Sequence, residues 1–401
     1  MRTECPDCGL HQHLVLQQHR KSECPRCRGV LTRPTRSLGD SLALVSASLV
    51  LFIVANAFTL MEISIAGLGQ SVRLDSGVAG LAERGYLPIA AFVLLIASIA
   101  PLARLLALGA AMTAALRSKS SPWMTTALRW SESMRGWAML DVFLVGALIA
   151  FSKLHGLARV DIGVAMWALA ALVVLTVWLE STLDMPALWA AVGPASPPRA
   201  CAEAADRTRC CEVCRLMQPD GETCLRCRAR LHRRKPDVLH RTAALVVTGV
   251  ILYIPANLYP VFTVVSFGKE TTATIMGGVI ELMTGDDWPL AVIVFVASIV
   301  VPLLKLVGLG VLTVSTRLRW RGYLRARTRL FRLIELVGRW SSVDIFVAAI
   351  LTALVTLGNL ATIVPGLGVL AFGAVVFVTI VATSAFDPRT MWDAAGANDE
   401  Q

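Results

Sequence analysis

Eight apolar runs decide what this chain can fold into; they lie near residues 41–63, 87–115, 137–156, 163–183, 241–262, 289–314, 343–363 and 367–386. Each is about 20 residues or longer, the length an α-helix needs to cross a hydrocarbon core of about 30 Å. Only 16% of the 401 residues are charged, against about 25% in soluble domains, which leaves too little polar surface for a soluble fold of this size. The runs therefore predict an all-α polytopic membrane protein with eight spans. No cleavable signal peptide is expected, because the chain opens with a polar segment and its first apolar run is too long for such a signal's core.

Lys and Arg orient the spans. The connections after spans two and six carry Arg117, Lys119 and Arg129, then Arg317, Arg319, Arg321, Arg325, Arg327, Arg329 and Arg332. The connections after spans one, three, five and seven carry only Arg73, Arg84, Lys153, Arg159 and Lys269. Positive residues stay on the cytoplasmic side, so both termini are expected there. The net charge of +10 reflects this topology. Juxtamembrane arginines meet anionic lipid headgroups, so no nucleic-acid partner is expected.

Two cysteine clusters lie on that same side. Cys5, Cys8, Cys24 and Cys27 form one pair of Cys-x2-Cys knuckles, and Cys211, Cys214, Cys224 and Cys227 form another. Disulfides rarely persist in a reducing cytoplasm, whereas four thiolates at this spacing suit a tetrahedral metal. Zn is favoured, and Fe in a rubredoxin-like site has the same ligands. A closed four-sulfur set leaves no coordination position for a substrate, so both sites are expected to be structural. Cys201 and Cys210 fall outside the pattern.

The clusters recur because the whole chain does. "IVAN" at 53–56 matches "IPAN" at 254–257, and Pro101 and Arg104 match Pro302 and Lys305, all at an offset of 201. After the Arg-rich connection the offset is 203, pairing Trp137 with Trp340 and "DVF" at 141–143 with "DIF" at 344–346. The expected organisation is two tandem units, each a small cytoplasmic four-cysteine zinc ribbon followed by a four-helix transmembrane bundle. Residues 1–36 form the first ribbon, 37–193 the first membrane unit, and 194–236 a linker with the second ribbon. Residues 237–392 form the second membrane unit and 393–401 the tail. Even span numbers make the two units parallel repeats. After the first span of each unit, period-two apolarity in "ISIAGLGQSVRL" and "FTVVSFGKETTATI" predicts a short exterior β-hairpin, placed to cap the helices or dock a partner.

Ionisable groups inside spans are costly and point to function. Lys305 follows Pro302 within span six and is expected to meet Asp344; Arg104 is expected to meet Asp141. Ser298, Ser341, Ser342, Thr379 and Thr383 can face the same interior as Lys305, so the working polar network is placed in the second unit. Asn56 and Asn257 sit mid-span and are expected to bond neighbouring helices. No phosphate-binding loop, nucleophile elbow or His-Glu-x2-His motif is present, so neither a P-loop ATPase nor a membrane enzyme is indicated.

Taken together, the tandem ribbons, "PAN" in the first span, Pro-x2-Lys in the second, "DIF" in the third and "FDPRTMW" at 386–392 resemble the paraquat-inducible protein A family over nearly the whole chain. The first half departs from this pattern: "LDMPALW" at 183–189 lacks the Arg and "IVAN" lacks the Pro, implying that the first unit is more scaffold than site. The resemblance implies a bacterial inner-membrane protein that moves phospholipid across the envelope together with a periplasmic MCE-domain tunnel protein. It also places Ser298, Lys305, Ser341 and Thr379 at the family's polar positions; Asp344 is added by the pairing argued above. Proton-gradient coupling is the expected energy source. Two alternatives stand beside this reading: a redox protein exchanging electrons between ribbon iron and quinone, and a zinc-responsive membrane regulator.

Overall fold

The computed structural model describes residues 2–13, 22–32, 37–65, 68–117, 122–155, 159–192, 208–266, 269–284, 288–354, 356–357 and 361–397. Its main helices are α1 (Leu38–Ala57), α2 (Leu87–Leu116), α3 (Leu140–His155) and α4 (Val164–Thr182) in the first unit. In the second they are α5 (Val238–Leu258), α6 (Trp288–Arg317), α7 (Val343–Leu354) and α8 (Leu367–Ala385). Seven helices are long and apolar enough to cross a membrane: α1, α2, α4, α5, α6, α8, and the continuous stretch Leu324–Ala353 that contains most of α7. Exposed Val247, Val250, Ile251, Ile254 and Leu258 recur at helical spacing along α5, a face suited to lipid.

The third apolar run of each unit differs from expectation. It forms a helix of 16 residues in the first unit and 12 in the second, reaching only about 24 and 18 Å at 1.5 Å per residue. An extended segment follows each helix. Arg159–Ile162 pairs with Met61–Ile65, which also pairs with Leu68–Val72, giving a three-stranded antiparallel sheet. In the second unit Ala361–Pro365 pairs with Phe262–Ser266, which pairs in turn with Lys269–Ala273. Polar and helix-breaking residues accompany the change: Lys153 near the end of the first helix, Arg159 and Asp161 in the strand beyond it, and Pro365 at the end of the second unit's strand.

Helices α2 and α6 each contain one π-helical turn, at Leu95–Ile99 and Val296–Val300. Both sit just before the matched prolines. Pro302 has no N–H for the carbonyl of Ser298, and the N–H of Val301 bonds Val296 O, five residues back. The ladder is thus re-spaced where proline would break it.

In each unit the first and fourth helices pack together, α1 on α4 and α5 on α8. The units meet through their third helices: Phe143 of α3 and Phe346 of α7 stack edge to face at 5.1 Å. A Cβ on Gly146 would lie 2.9 Å from Phe346 Cβ, so this crossing needs a glycine. The pseudo-symmetry is broken at one contact. The short helix Ser76–Glu83 packs on α7 of the other unit, while its counterpart Ile275–Thr284 makes no comparable contact with α3 among the described residues.

The ribbons are exchanged between the units. The first ribbon packs on the second membrane unit, sharing a core with Leu309, Leu312, Phe331, Phe386 and Trp392. The second packs with the first unit's core, where Arg215 lies beside Asp184 and Met185. The two ribbons also touch, Arg215 donating to the carbonyl of Leu31 at 3.2 Å.

Candidate functional site: two thiolate cages and a buried lysine

Each Cys-x2-Cys knuckle is a tight loop closed by backbone hydrogen bonds. The N–H groups of Gly9, Arg28, Arg215 and Arg228 donate to the carbonyls of Cys5, Cys24, Cys211 and Cys224 at 2.8–3.0 Å. All four donors have positive φ, from 55° to 73°. The loop turns both its sulfurs to one side, and two such loops face each other. In each cluster the four sulfurs lie within 4.8 Å of one another, with closest approaches of 3.5–3.6 Å. A tetrahedron with metal–sulfur bonds of about 2.3 Å has edges of about 3.8 Å, so both cages fit a metal ion. Without a cation the sulfurs cannot all ionise: the hydrogen bond with Cys27 pushes the Cys5 thiol up to about 12. Cys210 lies outside the cage, its thiol pushed up to about 12 by burial. The knuckle bonds run through Cys211. Cys201 lies outside the described residues.

A node of charge holds the ribbons in place. Arg389 donates to Asp387 at 3.0 and 2.9 Å, to Glu4 of the first ribbon at 3.4 Å, and to Glu212 of the second. Burial works against its charge, but Asp387, Glu4 and Glu212 hold its pKa above the ordinary arginine value. Arg234 adds bonds to Glu4 at 3.0 Å and Asp393 at 2.5 and 3.0 Å. Arg332 reaches Asp7 at 2.9 and 2.5 Å and Cys27 Sγ at 3.2 Å, so a cation sits against one thiolate. Trp392 donates to Thr328 Oγ1 at 3.1 Å, and Arg26 stacks 4.7 Å above its ring. These contacts account for "FDPRTMW". They also account for its weaker counterpart, where Pro186 stands in place of the arginine: both ribbons already meet at one arginine.

Deeper in the second unit, Lys305 is 1% exposed. Its Nζ donates to Ser341 Oγ and Thr379 Oγ1, each at 3.0 Å. Those hydroxyls spend their own protons on the carbonyls of Gly338 and Val376, which leaves their lone pairs for the ammonium. The side chain passes over a glycine, since a Cβ on Gly338 would lie 2.7 Å from Lys305 Cε. Ser342 bonds Met139 Sδ of the first unit at 3.5 Å. Ser298 is fully buried in the π-turn, which packs against the turn holding Ser341, and its Oγ makes no hydrogen bond among the described residues.

Three sequence expectations are corrected here. Lys305 is bonded to hydroxyls and forms no ion pair with Asp344, which begins the next helix half-buried. Arg104 pairs with Glu180 rather than Asp141. Asn56 and Asn257 donate to their own helix, to Phe52 O at 2.8 Å and Tyr253 O at 2.9 Å, and to no neighbouring helix among the described residues.

Lys305 lies on the wall of a cavity of about 720 Å³ between the units, with Arg135, Glu180, Arg332, Glu335 and Ile380. A second cavity, of about 740 Å³, shares Glu132, Glu335, Thr383 and Ser384 with it and reaches the ribbons at Asp7 and Glu212. Sequence reasoning misses Glu180 and Gly338, and it marks Arg389 only as part of a motif, without its partners. Glu180 had a signal, as an acid within an apolar run; Gly338 acts through tertiary contacts alone.

The description "Paraquat-inducible protein A" belongs to the family whose pattern matches residues 38–193 and 239–396. The chain is similar to "Intermembrane transport protein PqiA" of Escherichia coli K12, 30% identical over 97% of this chain and 95% of that one. It is also similar to "Lipophilic envelope-spanning tunnel protein A" of the same strain, 29% identical over 97% of this chain and 91% of the other. "Probable intermembrane transport protein" of Haemophilus influenzae is 28% identical over 97% and 94%. No solved structure matches the chain.

Proposed function

The chain belongs to the paraquat-inducible protein A family, and from that premise we propose that it passes phospholipid between the bacterial inner membrane and a periplasmic tunnel built by an MCE-domain partner. It is a transporter component, not an enzyme. In this reading the chain crosses the membrane eight times, the short helices α3 and α7 being completed by the extended segments that follow them. Both ribbons and both termini are cytoplasmic, and the two sheets face the periplasm, where a partner can dock. The cages hold structural Zn that fixes the ribbons under the bundle. They bind no cargo.

One observation supports the placement of the working site. A buried lysine, with no carboxylate partner among the described residues, is held by two hydroxyls on the wall of a cavity between the units. An ammonium in such a place costs free energy, and a chain that only anchored its ribbons has no use for it. With an open donor toward the cavity it can meet a lipid phosphate, or exchange its proton as cargo passes. Proton coupling through Lys305, Ser341, Thr379, Ser298 and Asp344 follows as the mechanism. The test is to replace Lys305 and Asp344 by alanine in turn and measure envelope-barrier function in cells that accumulate each variant normally. Both substitutions are expected to abolish barrier rescue; full rescue by both rules the mechanism out. A colourless, zinc-loaded preparation disposes of the redox alternative.

A further inference from the structure

The first unit holds a cavity of its own, of about 260 Å³, at the position that corresponds to the lysine site. The repeat has changed its chemistry. Arg104 stands for Lys305, Ala138 for Ser341, Ala97 for Ser298 and Glu180 for Thr383, while Thr176 keeps the place of Thr379. The hydroxyl cradle is thus replaced by an ion pair between Arg104 and Glu180. Asp141 and, from the second unit, Arg339 complete the charged lining. Arg135 and Arg339 lie within electrostatic reach of Glu180 as well. Arg104 is mostly buried, and its Nε makes no hydrogen bond among the described residues.

Two guanidinium groups and two carboxylates give the lining no net charge, yet both signs are present and desolvated. The rest of the wall is apolar, including Leu105, Leu108 and Val177, and Val177 is 58% exposed on the lipid-facing side. Glu180 and Ser181 fall at the ribbon-side end of α4, the depth at which headgroups of that leaflet lie. A volume this small admits a headgroup but not acyl chains. We propose that this cavity binds the headgroup of one zwitterionic phospholipid from the surrounding leaflet. Its phosphate sits on Arg104 and Arg339, its ammonium on Glu180 and Asp141, and its chains lie outside along Val177. An anionic lipid brings no cation for the two carboxylates and is disfavoured. The site rests on the reading that the chain handles phospholipid; its cavity shares Glu180 and Arg339 with the Lys305 cavity, but of the two Arg104 and Asp141 line this one alone and Lys305 only the other.

The test is native mass spectrometry of the full chain in detergent, titrated with phosphatidylethanolamine or phosphatidylglycerol. One phosphatidylethanolamine is expected to be retained roughly tenfold more tightly than phosphatidylglycerol, the discrimination of about one charge-assisted hydrogen bond. Glu180→Gln should erase that preference, Arg339→Gln should weaken retention of both lipids while keeping it, and Lys305→Met should leave it intact even where transport is lost. Glycerophosphoethanolamine without acyl chains should not compete at matching concentration. The proposal is overturned by equal retention of the two lipids by the unaltered chain, a reading that needs no variant to fold. Persistence of the preference in Glu180→Gln, or full competition by the soluble headgroup, overturns it too. Loss of transport in Lys305→Met with the lipid preference kept separates the two sites.

Discussion

Arg389 shows how much one side chain can carry. It touches three carboxylates from three parts of the chain, and removing it takes from the buried Asp387 the cation that faces it. Arg389→Ala should therefore cost about 3–5 kcal/mol, seen as a lower unfolding midpoint in detergent, and Arg389→Lys should recover only part of this because lysine lacks the planar fork. An unchanged midpoint would show that the node is ornamental. Gly338 makes a second prediction. Its added methyl in Gly338→Ala meets Lys305 Cε, so the ammonium must leave Ser341 or Thr379. Barrier rescue should fall sharply while the protein still accumulates; rescue at the unaltered level would mean that the lysine's position is unimportant. At this scale the sequence spoke unevenly. Lys305, Ser341 and Thr379 were legible as polar groups in apolar runs, since hydrocarbon makes them expensive. That Lys305 bonds these hydroxyls rather than Asp344, and that Arg104 pairs with Glu180, was not, because counting along helices gives depth and leaves the rotation of each helix open.

Among the elements, the ribbons were the most legible, since Cys-x2-Cys spacing encodes a loop whose backbone closes on itself. Each cage should bind one metal independently of the other. Cys24→Ser is expected to lower metal content from about two ions per chain to about one, with Cys211→Ser giving the complementary loss. Metal analysis of the purified variants checks this, and retention of both ions would exclude the four-sulfur cages. The third apolar runs were misjudged for a physical reason. Hydropathy cannot distinguish the end of a short helix from an apolar β-strand, and Thr, Ile and Val before Pro365 suit both. In the second unit the closing strand Ala361–Pro365 begins inside the run 343–363, whereas in the first Arg159–Ile162 lies beyond the run 137–156. The π-turns were written in the sequence as Pro101 and Pro302, yet a proline in a span permits a kink, a break or a re-spaced ladder alike.

On the scale of the whole molecule, the duplication was plain and the exchange of ribbons was invisible. Repeated motifs say that two units exist; they do not say which ribbon rests on which bundle. The structure crosses them, so the first ribbon clamps the second unit through Asp7 and Arg332 while the second leans on the first. Cutting the chain between residues 193 and 207, with both pieces made together, should therefore still yield a complex that purifies as one. Deleting residues 1–36 should lower that recovery several-fold. If the deletion leaves recovery unchanged, the crossing contributes nothing to holding the halves together.

The most direct measurement places a photo-crosslinking amino acid at Ile380, on the wall of the cavity beside Lys305, with another at the lipid-facing Val250 as a reference. Irradiation in native membranes should give a phospholipid adduct at both positions. Lys305→Met should abolish the adduct at Ile380 and spare the one at Val250. An Ile380 adduct that survives loss of the lysine, or never forms, would contradict the claim that this buried ammonium receives the cargo.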